Sequence, residues 1–178
     1  MPEGSTEGLE RFAIPGVGGI IERIVDGEKS ILVQERHKAG AKAEEGMIEI
    51  PAGKIREGES IFDCLRREIG EETGLIVSRI EGEPESVSTT INGYRVLSYT
   101  PFSSAQNLAA GYPIMVQVFF CRVGAEARLL KQSDESRNLR WVGIDELRAL
   151  LEAPSRLYPM HIETLRRYCE LELVRRAR

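Results

Sequence analysis

The sequence predicts an α+β fold in which a mixed β-sheet is covered on both sides by three main helices. Residues 114–123 form the strongly apolar run IMVQVFFCRV, which is typical of a strand buried on both faces. Helical periodicity instead runs from Ser60 to Gly74 and returns in two segments near the C-terminus. Strands mixed with helices in this order indicate a layered domain with helices on two sides of one sheet.

The predicted strands that precede the first helix are short and punctuated by glycines. An apolar pattern interrupted by glycines predicts an irregular strand over residues 12–24, and a turn then leads into a strand that ends at Arg36. The polar residues 37–46 predict a loop, and the short strand MIEI ends at Pro51. The first ten residues are expected to form a flexible tail, so that residues 11–178 make a single domain.

The first helix has recognisable ends. Ser60 and Asp63 resemble a capping box, and Gly74 suits the left-handed position that follows a helix C-terminus. Further strands are predicted at residues 76–80, 86–90, 94–99, 114–123 and 139–142. Two C-terminal helices are predicted at residues 145–152 and 160–176. Asp145 is the expected cap of the first of these two.

Bulk properties exclude several classes of function. The net charge of −4 offers no basic face to a nucleic-acid polymer, so the expected partner is a small molecule. The three cysteines form no CxxC or Cys/His pattern, which argues against a disulfide scaffold and a zinc site. Neither a signal peptide nor an apolar run of about 18 residues is recognised, so a cytoplasmic protein without membrane contact is expected. A monomer and a homodimer both remain open.

The first helix carries an unusual acidic cluster. Glu68, Glu71 and Glu72 have the spacing i, i+3 and i+4, so they share one face of the helix. This face overlaps the edge of the apolar stripe, where like charges repel one another and partial burial is costly. Arg67 can pair with Glu71 but leaves two carboxylates unmatched. Either a hard divalent cation such as Mg²⁺ or Mn²⁺ compensates this charge, or the cluster is a solvated acidic face.

The wider pattern favours the cation. Residues 53–75 read G-x5-E-x7-R-E-I-x-E-E-x-G-L, and this segment resembles a complete Nudix box. The chain is thereby identified as similar to the Nudix hydrolase superfamily, whose fold is an α/β/α sandwich. The resemblance implies that Glu68, Glu71 and Glu72 are metal ligands and that Gly53 contributes a backbone carbonyl to the metal.

The resemblance also implies supporting roles and a reaction. Arg67 would orient the neighbouring glutamates, and Glu59 would support the site electrostatically. The implied reaction is the attack of water on one phosphorus of a diphosphate bridge, with bound Mg²⁺ neutralising developing charge and lowering the pKa of its water. The base that activates the water lies either in the helix, where Glu72 is the candidate, or in a downstream loop, where Glu135 is the candidate.

Residues around the box point to a substrate class. The segment IEIPAGKI is similar to ADP-ribose pyrophosphatases and related nucleoside-diphosphate-sugar hydrolases. Cations near the box could meet phosphate charge or be solvated at the surface, and downstream aromatic residues could stack on a base or pack in the core or at its rim. These candidate substrate-binding residues are Arg36, Lys38, Lys42, Lys54, Arg56, Tyr99 and Phe102.

Two alternatives stay open at this point. A MutT-type hydrolase of nucleoside triphosphates is favoured by the short segment that precedes Gly53, which is too short for the extra β-domain of many ADP-ribose enzymes. A Nudix domain that senses a ligand without catalysis is the alternative from a different class. Such domains usually lose glutamates of the box, whereas all of them are present here.

Overall fold

The computed structural model describes residues 12–37, 43–109, 111–124 and 128–176. The predicted tail at residues 1–10 and the cations Lys38 and Lys42 lie outside these ranges. The strands are β1 (Ile14–Val25), β2 (Glu28–Arg36), β3 (Ile48–Glu49), β4 (Ala52–Lys54), β5 (Val77–Ile80), β6 (Val87–Ile91), β7 (Tyr94–Ser98), β8 (Ser103–Gln106), β9 (Ile114–Val123) and β10 (Ser136–Gly143). The α-helices are α1 (Ile61–Thr73), α2 (Ile144–Glu152) and α3 (Ile162–Arg176).

The main sheet is built around a parallel pair formed by β1 and β9. Its central order is β10-β2-β1-β9-β5, with β3 paired to β2, β4 paired to β1 and β8 paired to β9. Ile14 aligns with Ile114 and Glu22 with Arg122 in the parallel pair, whereas the other strand pairs of this sheet are antiparallel. Strands β6 and β7 form a separate two-stranded hairpin. The predicted mixed sheet is therefore confirmed.

The sheet buries apolar side chains on both of its faces. Ile31 and Val33 of β2 belong to the core that includes residues of α2 and α3, while Leu32 between them belongs to the core that includes residues of α1. Phe120 and Phe119 of β9 divide between the same two cores. This alternation follows from the two-residue period of a strand. Helices therefore cover both faces, which confirms the predicted α/β/α layering.

Helix α1 is fixed at both of its ends by the predicted residues. The Ser60 hydroxyl oxygen accepts a hydrogen bond from the Asp63 N–H at 3.1 Å, and the same hydroxyl donates to the Asp63 carboxylate at 2.7 Å. Gly74 adopts a φ of 76° and donates its N–H to the carbonyl of Gly70. A Cβ at Gly74 would also lie 2.8 Å from the Leu130 side chain. The glutamates of α1 are thus presented from a helix with defined ends.

Three local features differ from the sequence-based predictions. Strands β4 and β8 were not predicted, because their segments AGK and SSAQ contain no large apolar residues in alternation with polar ones. The prediction of Asp145 as a helix cap is wrong, since Gly143 occupies the N-cap of α2 and Asp145 lies in the first turn. There its negative charge still complements the helix dipole. Within the described ranges, no helix has the length and apolarity needed to cross a bilayer.

His161, which directly precedes α3, is hydrogen-bonded to Ile50, which lies between β3 and β4. It is fully buried, and its Nδ1 accepts a hydrogen bond from the Ile50 N–H at 3.3 Å. Burial lowers the pKa of His161 to about 3, and the charge of Arg36 contributes in the same direction. Between this value and the ordinary value near 6.5, the unfolded chain binds a proton that the folded chain does not. The stability that this residue contributes is therefore complete above pH 6.5 and is lost as the pH falls toward 3.

We expect His161→Gln to remove this pH dependence, because a glutamine oxygen can accept the Ile50 N–H bond without titrating. Between pH 7.5 and pH 5, the free energy of unfolding of the wild type should fall relative to that of the variant by about 2 kcal/mol. Urea unfolding of both proteins at the two pH values measures this difference. The prediction would be contradicted if the free energies of unfolding of the two proteins differed by the same amount at both pH values.

Candidate active site

A cleft of about 710 Å³ runs along the acidic face of α1. One wall is formed by α1 itself, with Arg67, Glu68, Glu71 and Glu72. The other sides are formed by residues 54–56, at the end of β4, and by residues 133–135, in the loop before β10. The box residues and the downstream loop, which are distant in sequence, therefore share one cleft.

Arg67 connects the acidic residues of this wall. Its Nη1 donates to Glu68 at 2.7 Å and to Glu71 at 3.2 Å. Its Nε and Nη2 donate to the two oxygens of Glu59 at 2.8 and 2.9 Å, and Nη2 also reaches the Lys54 carbonyl at 3.2 Å. One guanidinium thus binds three carboxylates in a fixed fork.

Glu59 anchors this arginine. The two hydrogen bonds from Arg67 lower the pKa of Glu59 to about 2, and the backbone N–H of Arg56 contributes a further bond at 3.1 Å. The hydrogen bonds to Glu59 and Glu68 raise the pKa of Arg67 above its ordinary value. Both groups therefore keep their charges at neutral pH, and the position of Arg67 does not depend on protonation.

Glu68 lies directly against the backbone of Gly53. A Cβ at Gly53 would be 1.8 Å from the carboxyl carbon of Glu68 and 2.2 Å from each of its oxygens. Strand β4 places Gly53 opposite Val17 of the central strand β1. Only glycine leaves the Glu68 carboxylate in this position, because any side chain would occupy its space.

Glu72 is the buried member of the cluster. It is 4% exposed, and its Oε2 accepts hydrogen bonds from Gln34 Nε2 at 2.9 Å and from the Ala52 N–H at 3.1 Å. Burial raises the pKa of Glu72 to about 8, and the nearby charge of Glu49 adds to this effect, while the two hydrogen bonds oppose it. By contrast, the side chain of Glu71 is 55% exposed. The three glutamates of the face therefore occupy three distinct environments.

A hydrogen-bonded loop places Glu135 and Asp134 across the cleft from α1. The buried Ser136 donates its hydroxyl to the backbone carbonyl of Glu72 at 3.0 Å. Ser133 accepts the N–H groups of Glu135 and Ser136 at 3.2 and 3.0 Å. The loop is thus attached to the helix at Glu72. Asp134 was not singled out from the sequence, since an acidic residue in a polar loop carries no distinguishing signal.

The donor set of the cleft fits a hard divalent cation. Every candidate ligand on its acidic wall is a carboxylate oxygen, which is the ligand type that Mg²⁺ and Mn²⁺ prefer. In the ranges that the structure describes, no three acidic, histidine or cysteine side chains converge closely enough to form a ready-made metal cage. Arg67 and Gln34 instead hold the glutamates individually.

A comparison with known families decides the identity of the domain. The NUDIX domain family matches residues 15–162, which is more than half of the chain. The chain belongs to the Nudix family. The predicted family, fold and enzyme class are therefore confirmed. Nudix hydrolases act on pyrophosphate bonds and use divalent metal ions.

Solved structures with this Nudix fold include several of different kinds. A MutT protein from Methanosarcina mazei Go1 is 21% identical, with a TM-score of 0.60 over 93% of this chain and 99% of that one. An Ap4A hydrolase from C. elegans is 14% identical, with a TM-score of 0.58 over 90% and 98% of the two chains. The NUDIX domain of Shewanella oneidensis NrtR, complexed with ADP ribose, is 13% identical, with a TM-score of 0.56 over 79% of each chain. At these identities the likeness shows the fold alone.

A curated relative matches a little under half of this chain. The methanol dehydrogenase activator of Bacillus methanolicus is 33% identical over 81 residues, which cover 46% of this chain and 42% of that protein. The matched region therefore spans less than half of the length of that relative.

The structure brings only some of the predicted substrate-binding residues into the cleft. Lys54 and Arg56 line it, and Lys54 Nζ lies 5.2 Å from the centre of the Tyr112 ring. Arg36 instead binds Glu44 and Glu49. The structure thus places two of the three described cations near the glutamates of the Nudix box.

The two aromatic candidates pack within the fold. Tyr99 packs against Phe62 and Phe119, with ring centroids 6.0 Å from each. Phe102 packs against Phe120 with ring centroids 4.5 Å apart, and the Arg167 guanidinium lies 5.0 Å from its centre. Contacts of Arg36, Tyr99 and Phe102 with substrate stay predictions.

Sequence reasoning did not identify Gln34 and Glu49 as residues near the site. Both are buried and lie next to Glu72, yet they belong to separate strands, β2 and β3. In the sequence, each is only a polar residue within a strand. Both residues are buried, and they are partners in the pairing of β2 with β3. Their place beside the site is therefore evident only once the strand register is known.

Proposed function

We propose that this Nudix domain is a Mg²⁺-dependent hydrolase of a phosphoanhydride bond in a nucleoside-diphosphate-linked small molecule, with ADP-ribose or a nucleotide sugar as the favoured substrate. The observation that carries the proposal is the division of charge in the cleft. The glutamates of α1 form one wall, while Lys54 and Arg56 lie at its margin. A diphosphate bridge needs both a cation held by carboxylates and side-chain cations for its remaining charge.

The proposed ligand set contains Glu68, Glu71 and Glu72, with the backbone carbonyl of Gly53. A bound Mg²⁺ supplies neutralisation of the developing charge and a lowered pKa for a bound water. Arg67 keeps Glu68 and Glu71 on the same side of the cleft through its hydrogen bonds at 2.7 and 3.2 Å.

Glu135 is the proposed general base. It lies in the cleft on the loop opposite α1, whereas one oxygen of Glu72 is already occupied by two donors. A carboxylate in this position can accept a proton from a water that attacks a phosphorus held between the two walls. The hydrogen bonds around Ser133 and Ser136 set the position of Glu135 relative to the helix.

The choice of a diphosphate-linked substrate is supported by residues 48–55, which resemble the segment that precedes the box in ADP-ribose pyrophosphatases. In this structure the same segment supplies β3 and β4, the donor Ala52 N–H and the cleft residue Lys54. Lys54 and Arg56 line the cleft and are exposed, which supports a role for them in binding phosphate oxygens. The similarity is therefore located in the part of the chain that borders the cleft.

A substrate panel tests this proposal. ADP-ribose, nucleoside-diphosphate sugars, dinucleoside polyphosphates and nucleoside triphosphates are each incubated with the protein and Mg²⁺, with and without a chelator, and the products are separated by chromatography. We expect AMP plus a sugar phosphate from ADP-ribose, and no products when the metal is chelated.

Other results of the panel have distinct meanings. A nucleoside monophosphate plus pyrophosphate from the triphosphates alone would overturn the substrate class in favour of a MutT-type activity. Tight binding of a ligand by the folded protein without any turnover would overturn catalysis in favour of a sensing domain.

A further inference from the structure

A buried glutamine reaches from the sheet to the carboxylate of Glu72. Gln34 on β2 is 1% exposed, and its Nε2 donates to Glu72 Oε2 at 2.9 Å. The backbone N–H of Ala52 donates to the same oxygen at 3.1 Å. Two donors therefore converge on Oε2, and in the part of the chain that the structure describes no hydrogen bond reaches Oε1.

The amide of Gln34 also contacts a second buried carboxylate, that of Glu49. Its Nε2 also lies 3.4 Å from Oε1 of Glu49 on β3, and Glu49 Oε2 accepts a hydrogen bond from Arg36 at 3.0 Å. Arg36 is fixed in turn by Glu44 at 3.0 Å and by the ring of Tyr158, 4.6 Å from its guanidinium carbon. Arg36 lies outside the cleft because it binds Glu49, which in turn contacts the amide of Gln34.

This arrangement is energetically costly for a structural core. Glu49 and Glu72 are 3% and 4% exposed, so two carboxylates are buried close together. The Oε1 atom of Gln34 is also buried, without a hydrogen-bond partner among the described residues. Apolar side chains of the same size would avoid both penalties and would serve packing alone at least as well. The contact of Gln34 with Glu72 is what an apolar side chain could not supply.

We propose that Gln34 is a positioning residue of the cation site, which fixes Oε2 of Glu72 so that Oε1 is presented to the divalent cation in the cleft. This inference rests on the proposed function, because it assigns Glu72 to that cation. Groups that hydrogen-bond to metal ligands fix the orientation of those ligands, and their loss typically weakens metal binding by about 10–100-fold.

Binding of Mn²⁺ alone, without substrate, tests the role of Gln34. Free Mn²⁺ is titrated with the wild type, Gln34→Met and Gln34→Asn, and its concentration is followed by electron paramagnetic resonance. Methionine keeps the length of the side chain and removes the donor, while asparagine keeps the amide and shortens its reach by one methylene. We expect both variants to bind Mn²⁺ about 10–100-fold more weakly than the wild type.

Gln106→Met is the matched control, because Gln106 lies exposed on β8 and outside the cleft. It should bind Mn²⁺ like the wild type. Thermal unfolding identifies the variants that fold, and Gln34→Asn decides the question if Gln34→Met does not. Wild-type affinity in a folded Gln34 variant would overturn this inference alone. A wild-type protein that neither binds Mn²⁺ nor turns over any substrate would overturn the proposed function and this inference together.

Discussion

Replacement of Glu71 by glutamine is expected to lower kcat on the order of 10³-fold, because it removes the charge of a proposed ligand of the cation that stabilises the transition state. The fold should be unaffected. The Glu71 side chain is 55% exposed, and among the described residues it forms one ion pair, with Arg67 at 3.2 Å. Exposed pairs of this kind contribute about 0–1 kcal/mol. Steady-state kinetics at saturating Mg²⁺ and thermal unfolding of the same preparation measure the two quantities separately.

Glu163→Gln provides the control for this change. Glu163 lies on α3, its side chain is 80% exposed, and it pairs with Arg166 within its own helix. The chemical change is the same, while the cleft is untouched, so activity and stability should both stay at the wild-type level. Near-normal turnover by Glu71→Gln would contradict the assignment of Glu71 to the metal.

Gly53→Ala is expected to reduce turnover to a similar degree, by about 10²–10³-fold, through displacement of Glu68. The added Cβ would lie 1.8 Å from the carboxyl carbon of Glu68, so this carboxylate must leave its position. The clash involves the end of a flexible side chain, and Gly53 does not adopt a positive φ. We therefore expect a folded protein whose metal affinity and kcat are lowered. Isothermal titration with Mn²⁺ and steady-state kinetics measure both effects.

Gly143→Ala separates this effect from a general cost of replacing glycine. Gly143 precedes α2, also lacks a positive φ, and has no atom within 4 Å of the position that its Cβ would occupy. This variant should keep the wild-type kcat and metal affinity. Unchanged Mn²⁺ binding in a folded Gly53→Ala protein would show that the Glu68 position is not needed for the cation.

The parts of the fold that local chemistry determines could be predicted from the sequence. Ser60 and Gly74 determine the two ends of α1, because side-chain capping and a left-handed glycine act over a few residues. The apolar run of β9 indicates a strand buried on both faces for a similarly local reason. Asp145 was assigned to the wrong position because a capping residue and an acidic residue of the first turn have similar sequence preferences.

The surroundings of the glutamates could not be predicted, because they depend on strand register. Gln34 meets Glu72 across 38 positions of the chain, and Ser136 meets Glu72 across 64. Nothing in the immediate sequence of Gln34 distinguishes it from an exposed strand residue. The same limit applies to the surroundings of Arg36, because its ion pair with Glu49 depends on the register of β2 with β3.

The parallel pairing of β1 with β9 has a consequence for how the molecule acquires its activity. Residues 14–22 join residues 114–122, so the central contact of the sheet closes a loop of about one hundred positions that contains all of α1. The entropy of such a closure must be lost before the strand contacts compensate for it, which makes parallel topologies slow to fold. During synthesis, a nascent chain that ends before Ile114 contains the complete box but lacks β9. Strand β9 pairs with β1, and β1 in turn pairs with the β4 strand that contains Gly53. Catalytic competence should therefore emerge late in translation, after β9 has been synthesised.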